Sequence, residues 1–341
     1  MHVAIIGLNQ SGRTTLWQFL AGEHGGKEGI ATIPIFDEKL MQLARVEGSK
    51  KVSYLELTIQ DTVGDIERSG HIFSDVQAAS GLIITIRNFD AGFGTPNPVD
   101  DARKIKEIII EHDLDSIQKR LQSIEHELGK GRSRDEREAL EEEMSALKSF
   151  ANTLYEGKLI GNEELTPIQR KVAANQGLLT AKRWIPVLCC EDTCDKELKG
   201  SVSNVFGSEV IATAAKLELE LCELADDEAQ AFRKELGLSG ESLRESVVDK
   251  IFESLRLTTF YTANQNEARA HAVPQGATAL EAAAKVHTDI AKGFICAEVA
   301  KIDDVIRAGG FAKAKTKNLV KRADKNYTVQ DGDVIFFRFN V

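Results

Sequence analysis

Four short stretches carry residue types and spacings suited to phosphate chemistry. Residues 7–14 read GLNQSGRT, the frame G-x-x-x-x-G-K-[ST] with Arg13 in the lysine position. In such a loop the glycines let backbone N–H groups approach phosphate oxygens, and the helix N-terminus that follows adds positive potential. Asn9, Gln10 and Ser11 fill the frame, Gly12 closes it and Thr15 follows it. Thr14 supplies the hydroxyl expected on a magnesium ion. Residues 61–64 read DTVG. Asp61, at a strand end, suits the same magnesium, and Gly64 can offer its N–H to a γ-phosphate. Residues 191–195, EDTCD, follow an apolar run where a base-reading loop belongs. Asp195 stands where a carboxylate accepts from guanine N1–H, and Asp192 replaces the usual asparagine. The AAK at 214–216 falls where a second base-contacting loop belongs, which adds Ala215 and Lys216.

Together these residues predict binding of GTP or ATP with Mg2+, and slow or impaired hydrolysis. Arginine keeps the charge of lysine but is longer and planar, so Arg13 is not a conservative replacement. Asp65 follows DTVG and places a carboxylate where it repels a γ-phosphate. No catalytic residue is assigned. The seven histidines are scattered without ligand-spaced partners. The competing reading is a vestigial site, in which the loop merely turns and the acidic 191–195 segment is solvated.

These residues need elements to hold them. HVAII at 2–6 is short, apolar and β-branched, and TTLWQFLAG after the loop has helical spacing. LELTIQ, GLIITIRNFD, WIPVLCCED and EVIATAAK are four further strand candidates, separated mostly by helical stretches. Strands alternating with helices predict a doubly wound parallel sheet, with its ligand at the carboxyl ends of the strands.

One insertion interrupts the alternation. Leu114, Ile117, Leu121, Ile124 and Leu128 keep three-four spacing, and so do Leu140, Met144, Leu147, Ala151 and Leu154. The polar GKGRSRD between them reads as a turn, so the pair predicts an antiparallel helical hairpin. RDEREALEEEM is its wetted face. After about residue 258, LRLTTFYTA, EARAHAV and VQDGDVIFFRFNV read as strands. TALEAAAKVH opens with a capping box, Thr278 to Glu281, and reads as a helix. The tail is therefore a small α+β domain.

Residues 256–341 hold 13 Lys and Arg against 9 Asp and Glu, whereas the whole chain is −10. Lys313, Lys315, Lys317, Lys321 and Arg322 concentrate in one segment, which suits phosphate contacts with RNA. A solvated loop is the alternative. Phe336, Phe337 and Phe339 read as core of a terminal strand. The overall acidity argues against nucleic acid coating the whole surface. No apolar run reaches the roughly 18 residues of a membrane helix. Five cysteines fit a reducing, cytoplasmic compartment, with Cys189, Cys190 and Cys194 read as plain thiols.

The order of these parts resembles the YchF family of Obg-related P-loop NTPases. The likeness spans nearly the whole chain. It is strongest in GATALEAAAKVHTDIAKGFICAEV and YTVQDGDVIFFRFNV, with QGLLTAKRWIPVL and AAKLELELCELADDE similar as well. It implies a P-loop domain at 1–105 and 156–257, a coiled-coil hairpin at 106–155, and a ubiquitin-like TGS domain at 258–341. It also implies an ATP- or GTP-binding cytosolic protein that associates with ribosomes or other RNA. The departures cluster at Gly12-Arg13-Thr14, at Asp192 and Asp195 in place of an N-x-x-E base motif, and after DTVG. A divergent member follows, and the alternative is a non-hydrolysing scaffold acting through hairpin and tail.

Overall fold

The computed structural model describes residues 1–26, 29–64, 66–67, 71–92, 94–131, 133–235 and 243–340. The chain forms two compact units. One comprises His2–Thr32 and Thr58–Leu255; the other comprises Met1, Ile33–Leu57 and Arg256–Val341. Residues 33–57, grouped with the sheet domain in the sequence reading, thus fall with the tail.

The first sheet has six strands in the order β2-β4-β1-β5-β6-β7. These are β1 (His2–Gly7), β2 (Ile30–Ile35), β4 (Leu55–Asp61), β5 (Gly81–Asn88), β6 (Arg183–Cys190) and β7 (Ile211–Thr213). Val3 to Ile6 are fully buried, as a strand covered on both faces requires. β1 runs parallel to β4 on one side and β5 on the other, with Ile5 opposite Asp61 and Gly7 opposite Thr85. The order reverses at β1, so its carboxyl end opens a crevice there. α1 (Arg13–Ala21) leaves that end and buries Leu16, Phe19, Leu20 and Ala21. β7 is shorter than EVIATAAK predicts, because Ala215 already begins α8 (Ala215–Leu221).

The insertion is a pair of long helices. α4 (Pro98–Leu128) starts at Asn97, whose side chain accepts from Asp100 N, with proline in the first turn. α5 (Arg134–Tyr155) starts with a capping box between Ser133 and Glu136. All ten seam residues join one apolar cluster, with Ile117, Ile124 and Leu147 almost fully buried. Arg120 ties the arms together through a two-pronged bond to Glu143, at 2.8 Å on each side.

The second sheet has the order β11-β10-β12-β8-β9-β3. Its strands are β3 (Lys51–Ser53), β8 (Leu257–Ala263), β9 (Glu267–Pro274), β10 (Phe294–Lys301), β11 (Lys321–Ala323) and β12 (Asp333–Phe339). β3 pairs parallel with β9, Lys51 opposite Glu267. Side chains of α2 (Glu38–Glu47), α13 (Ile302–Ala308) and α14 (Phe311–Thr316) share one core with Ala300 and Val334. α11 (Ala279–Val286) packs with Ile335 and Phe337 in another. Alternate residues of β12 therefore feed opposite cores, as a pleated strand demands.

Candidate nucleotide site

The loop between β1 and α1 is shaped by close approach. A Cβ on Gly7 would fall on Thr85 Oγ1 and Ser11 Oγ, which themselves lie 2.6 Å apart. Thr85 Oγ1 also donates to Ile6 O at 3.2 Å, so the loop base is locked to β5. Gln10 (φ 57°) and Gly12 (φ 87°) are left-handed. Gly12 is the N-cap of α1 and provides no side chain to bond the first helical amides. Asn9, Gln10, Ser11, Gly12, Arg13, Thr14 and Thr15 line an open cavity of about 460 Å³, together with Phe89 and Ala91.

Arg13 does not stand where a loop lysine would. Its guanidinium reaches across to the carbonyl of Thr62 at 3.2 Å, just beyond β4. Thr62 in turn donates to Ile5 O at 2.5 Å. Beside it, Thr14 Oγ1 donates to Asp61 Oδ2 at 2.8 Å. The other carboxylate oxygen, Asp61 Oδ1, is buried without a hydrogen-bond partner among the described residues. A hydroxyl and an orphaned carboxylate oxygen side by side are hard donors that fit magnesium. Gly64 follows with φ 121°, and Asp65 lies outside the described residues. Thr32, a candidate for the same metal by residue type, sits in β2 with its hydroxyl against Thr58 Oγ1.

A second cavity, of about 330 Å³, lies towards β6. It is lined by Gly12, Thr15, Phe89, Asp90, Cys189, Cys190, Glu191 and Asp192, and by Ala215, Lys216, Leu217 and Glu220 of α8. It shares Gly12, Thr15 and Phe89 with the loop cavity, so the two are neighbours at the start of α1. Asp192, Ala215 and Lys216 thus line one cavity. Asp195 does not line this space. Its carboxylate accepts from Glu197 N (3.2 Å) and Leu198 N (3.4 Å) and caps α7 (Lys196–Phe206). An aspartate just before free helical amides is satisfied there.

Phe89, Cys189 and Glu191 are among the lining residues that the sequence does not single out. Phe89 directly follows the apolar run of β5, a position where a strand-end aromatic can stack on a ligand. Cys189 is buried, and burial pushes its thiol up to about 12, so it is a neutral S–H at pH 7. Cys190 and Cys194 correct the expectation of plain thiols. The turn into α7 brings their Cα atoms to 5.8 Å, and they are joined as a disulfide.

The basic tail residues divide. Lys313 and Lys315 lie on α14, Lys317 follows it, and Lys321 and Arg322 form β11. Lys315 is bound to Glu298 at 2.8 and 2.9 Å. The three phenylalanines divide as well: Phe337 is core, but Phe336 is 44% and Phe339 38% exposed. The expectation that all three are core holds for one. Among the described residues, no helix is long and apolar enough to cross a membrane, and no three His, Cys, Asp or Glu cluster as a metal site.

Known proteins share this architecture. Residues 257–340 match the YchF-GTPase_C family, described as a protein of unknown function. The "Ribosome-binding ATPase YchF" of Bacillus subtilis is 30% identical across the whole of both chains. That of Pasteurella multocida is 29% identical, over 99% of this chain and 98% of its own. The structure of the Schizosaccharomyces pombe YchF GTPase superposes with a TM-score of 0.78 at 18% identity, covering 99% of this chain and 97% of its own.

Proposed function

The chain belongs to the YchF family, and on that premise we propose that it binds a purine nucleoside triphosphate with Mg2+, hydrolyses it slowly, and associates with the ribosome. The observation that carries the nucleotide reading is that Gly12, Thr15 and Phe89 line both cavities. Phosphates occupy the Asn9–Thr15 side, and the base lies beside Phe89, Cys189, Asp192 and Lys216. Thr14 and Asp61 hold the magnesium, which when bound offsets phosphate charge. Slow chemistry follows from Arg13. With its guanidinium on Thr62 O, it is not free to draw charge from the β- and γ-phosphates.

The relatives' printed names support the rest of the reading. The Bacillus protein is called a ribosome-binding ATPase and the Schizosaccharomyces protein a GTPase. Ribosome contact, through the hairpin and a TGS-like tail, places the protein in the cytoplasm. Asp192 and the neutral Cys189 line the base side together. A second reading, a scaffold that binds without hydrolysing, is favoured by the same engaged Arg13.

The test is titration of the full chain with fluorescent ATP and GTP analogues, with and without magnesium, followed by a phosphate-release assay. Magnesium-dependent binding with slow release supports the proposal. Binding without release moves the protein to the scaffold reading. No binding at about millimolar nucleotide overturns both uses of the site.

A further inference from the structure

The second sheet leaves part of one face open, and its register sets side chains of distinct chemistry abreast there. Glu298 of β10 pairs with Arg322 of β11 on one side and Phe336 of β12 on the other. Directly paired residues project to the same face. Val334, two residues before Phe336, is buried in the core shared with α2, α13 and α14. Past that cover the face emerges into solvent, and Phe336 is 44% exposed. Arg338 lays its guanidinium over the Phe336 ring at 5.1 Å, and the Phe311 ring stands 6.4 Å away. Glu298, the acid in this row, is held by Lys315 and Arg338. The charge left over is positive: Lys317 and Arg322 are exposed and have no ion-pair partner among the described residues.

We propose that this open face binds single-stranded RNA, with an unpaired base stacking on Phe336 and Arg338 and the flanking phosphates held by Arg322 and Lys317. The inference rests on the ribosome-associated reading above and names the chemistry that the tail recognises. An aromatic ring standing on a sheet and flanked by arginine needs the π-face of a base. A duplex hides that face within its stack, and an acidic peptide has none to offer. Nothing in the row forms the cleft that would specify one base, so recognition is tolerant of sequence.

Fluorescence anisotropy of the full chain with a single-stranded RNA of roughly 12 nucleotides, and with its duplex, tests the proposal. The single strand is expected to bind more tightly. Phe336→Leu is expected to weaken it roughly tenfold with an unchanged salt slope, and Phe336→Trp to restore it. Arg322→Gln is expected to lower the salt slope by about 0.7. Because Phe336 is exposed, thermal melts of these variants should match the parent. Equal binding of duplex, an unaffected Phe336→Leu, or equal competition by polyglutamate overturns the proposal, the last by showing a plain cation site for protein. Ribosome co-sedimentation separates the two levels. If the parent fails to co-sediment, the broader reading fails. If parent and Phe336→Leu co-sediment alike and neither prefers single strands, only this inference fails.

Discussion

The two sheets place their working surfaces differently. The first is buried on both faces at β1, β5 and β6, and at the carboxyl end of β1 it offers a loop whose shape depends on Gly7 and Gly12. The second leaves part of a face uncovered and offers side chains, Phe336, Arg338 and Arg322. A site made of backbone keeps its shape while side chains around it change. Arg13 and Asp192 depart from the usual types, yet the loop still lines an open cavity. A site made of side chains has no such reserve, and one substitution should weaken it.

The contrast breaks most readily at Gly7. Valine there would collide with Thr85 and Ser11 and force β1 away from β5. Loss of about 3 kcal/mol is expected in urea unfolding, with loss of nucleotide binding, as for other overpacked cores. Unchanged stability would mean that the loop base is not held by close approach.

The second sheet has its own weak point, and it is set by pH. His271 is buried against Phe260, with its ring 4.9 Å from the phenylalanine and stacked on it. Burial, ahead of any charge, pulls its pKa down to about 4. The unfolded chain then binds a proton that the folded chain refuses, so stability is complete above about pH 6.5 and falls as pH drops towards 4. At pH 5 the loss should be about 2 kcal/mol, read from urea curves at several pH values. His271→Phe should flatten that slope.

What the sequence disclosed follows the same division. β1, β5 and β6 were legible because a strand buried on both faces writes itself as a continuous apolar run. The hairpin was legible from its spacing. α2 and β3 were not, because Lys51 finds its partner at Glu267, far along the chain, and local pattern carries no such information. The capping role of Asp195 was hidden for a related reason: motif spacing carries no sign of a helix cap. Phe89 and Cys189 come together only through the fold. The split between Phe336 and Phe337, by contrast, was readable, since alternation along β12 sends neighbours to opposite faces.

At the loop, Arg13→Lys sharpens the comparison by restoring the shorter cation. Lysine cannot reproduce the guanidinium bond to Thr62 O in the same geometry, so it is released towards the phosphates. Phosphate release should rise about tenfold, with nucleotide affinity within about twofold. An unchanged rate would place the block elsewhere in the site. Asp61→Asn should reduce the magnesium dependence of binding by a similar factor, about tenfold, since it removes the orphaned carboxylate oxygen beside Thr14.

The smallest effect concerns which tail cations count. Lys315 and Lys317 stand two residues apart in one basic segment, and composition treats them alike. The structure separates them. Lys315 already neutralises Glu298, whose carboxyl is held below its ordinary range first by that hydrogen bond. Removing Lys315 therefore frees a carboxylate as it removes a cation, and Arg338 stays to satisfy it. Lys317 is exposed and carries its charge unshared among the described residues. Lys317→Ala should lower the salt slope of RNA binding by about 0.7, with the same effect on every sequence tried. Lys315→Ala should leave that slope nearly in place and draw Arg338 from the Phe336 ring towards Glu298. A larger loss at 315 than at 317 would show that the bond to Glu298 yields to phosphate, and that the acid in the row releases its lysine on binding.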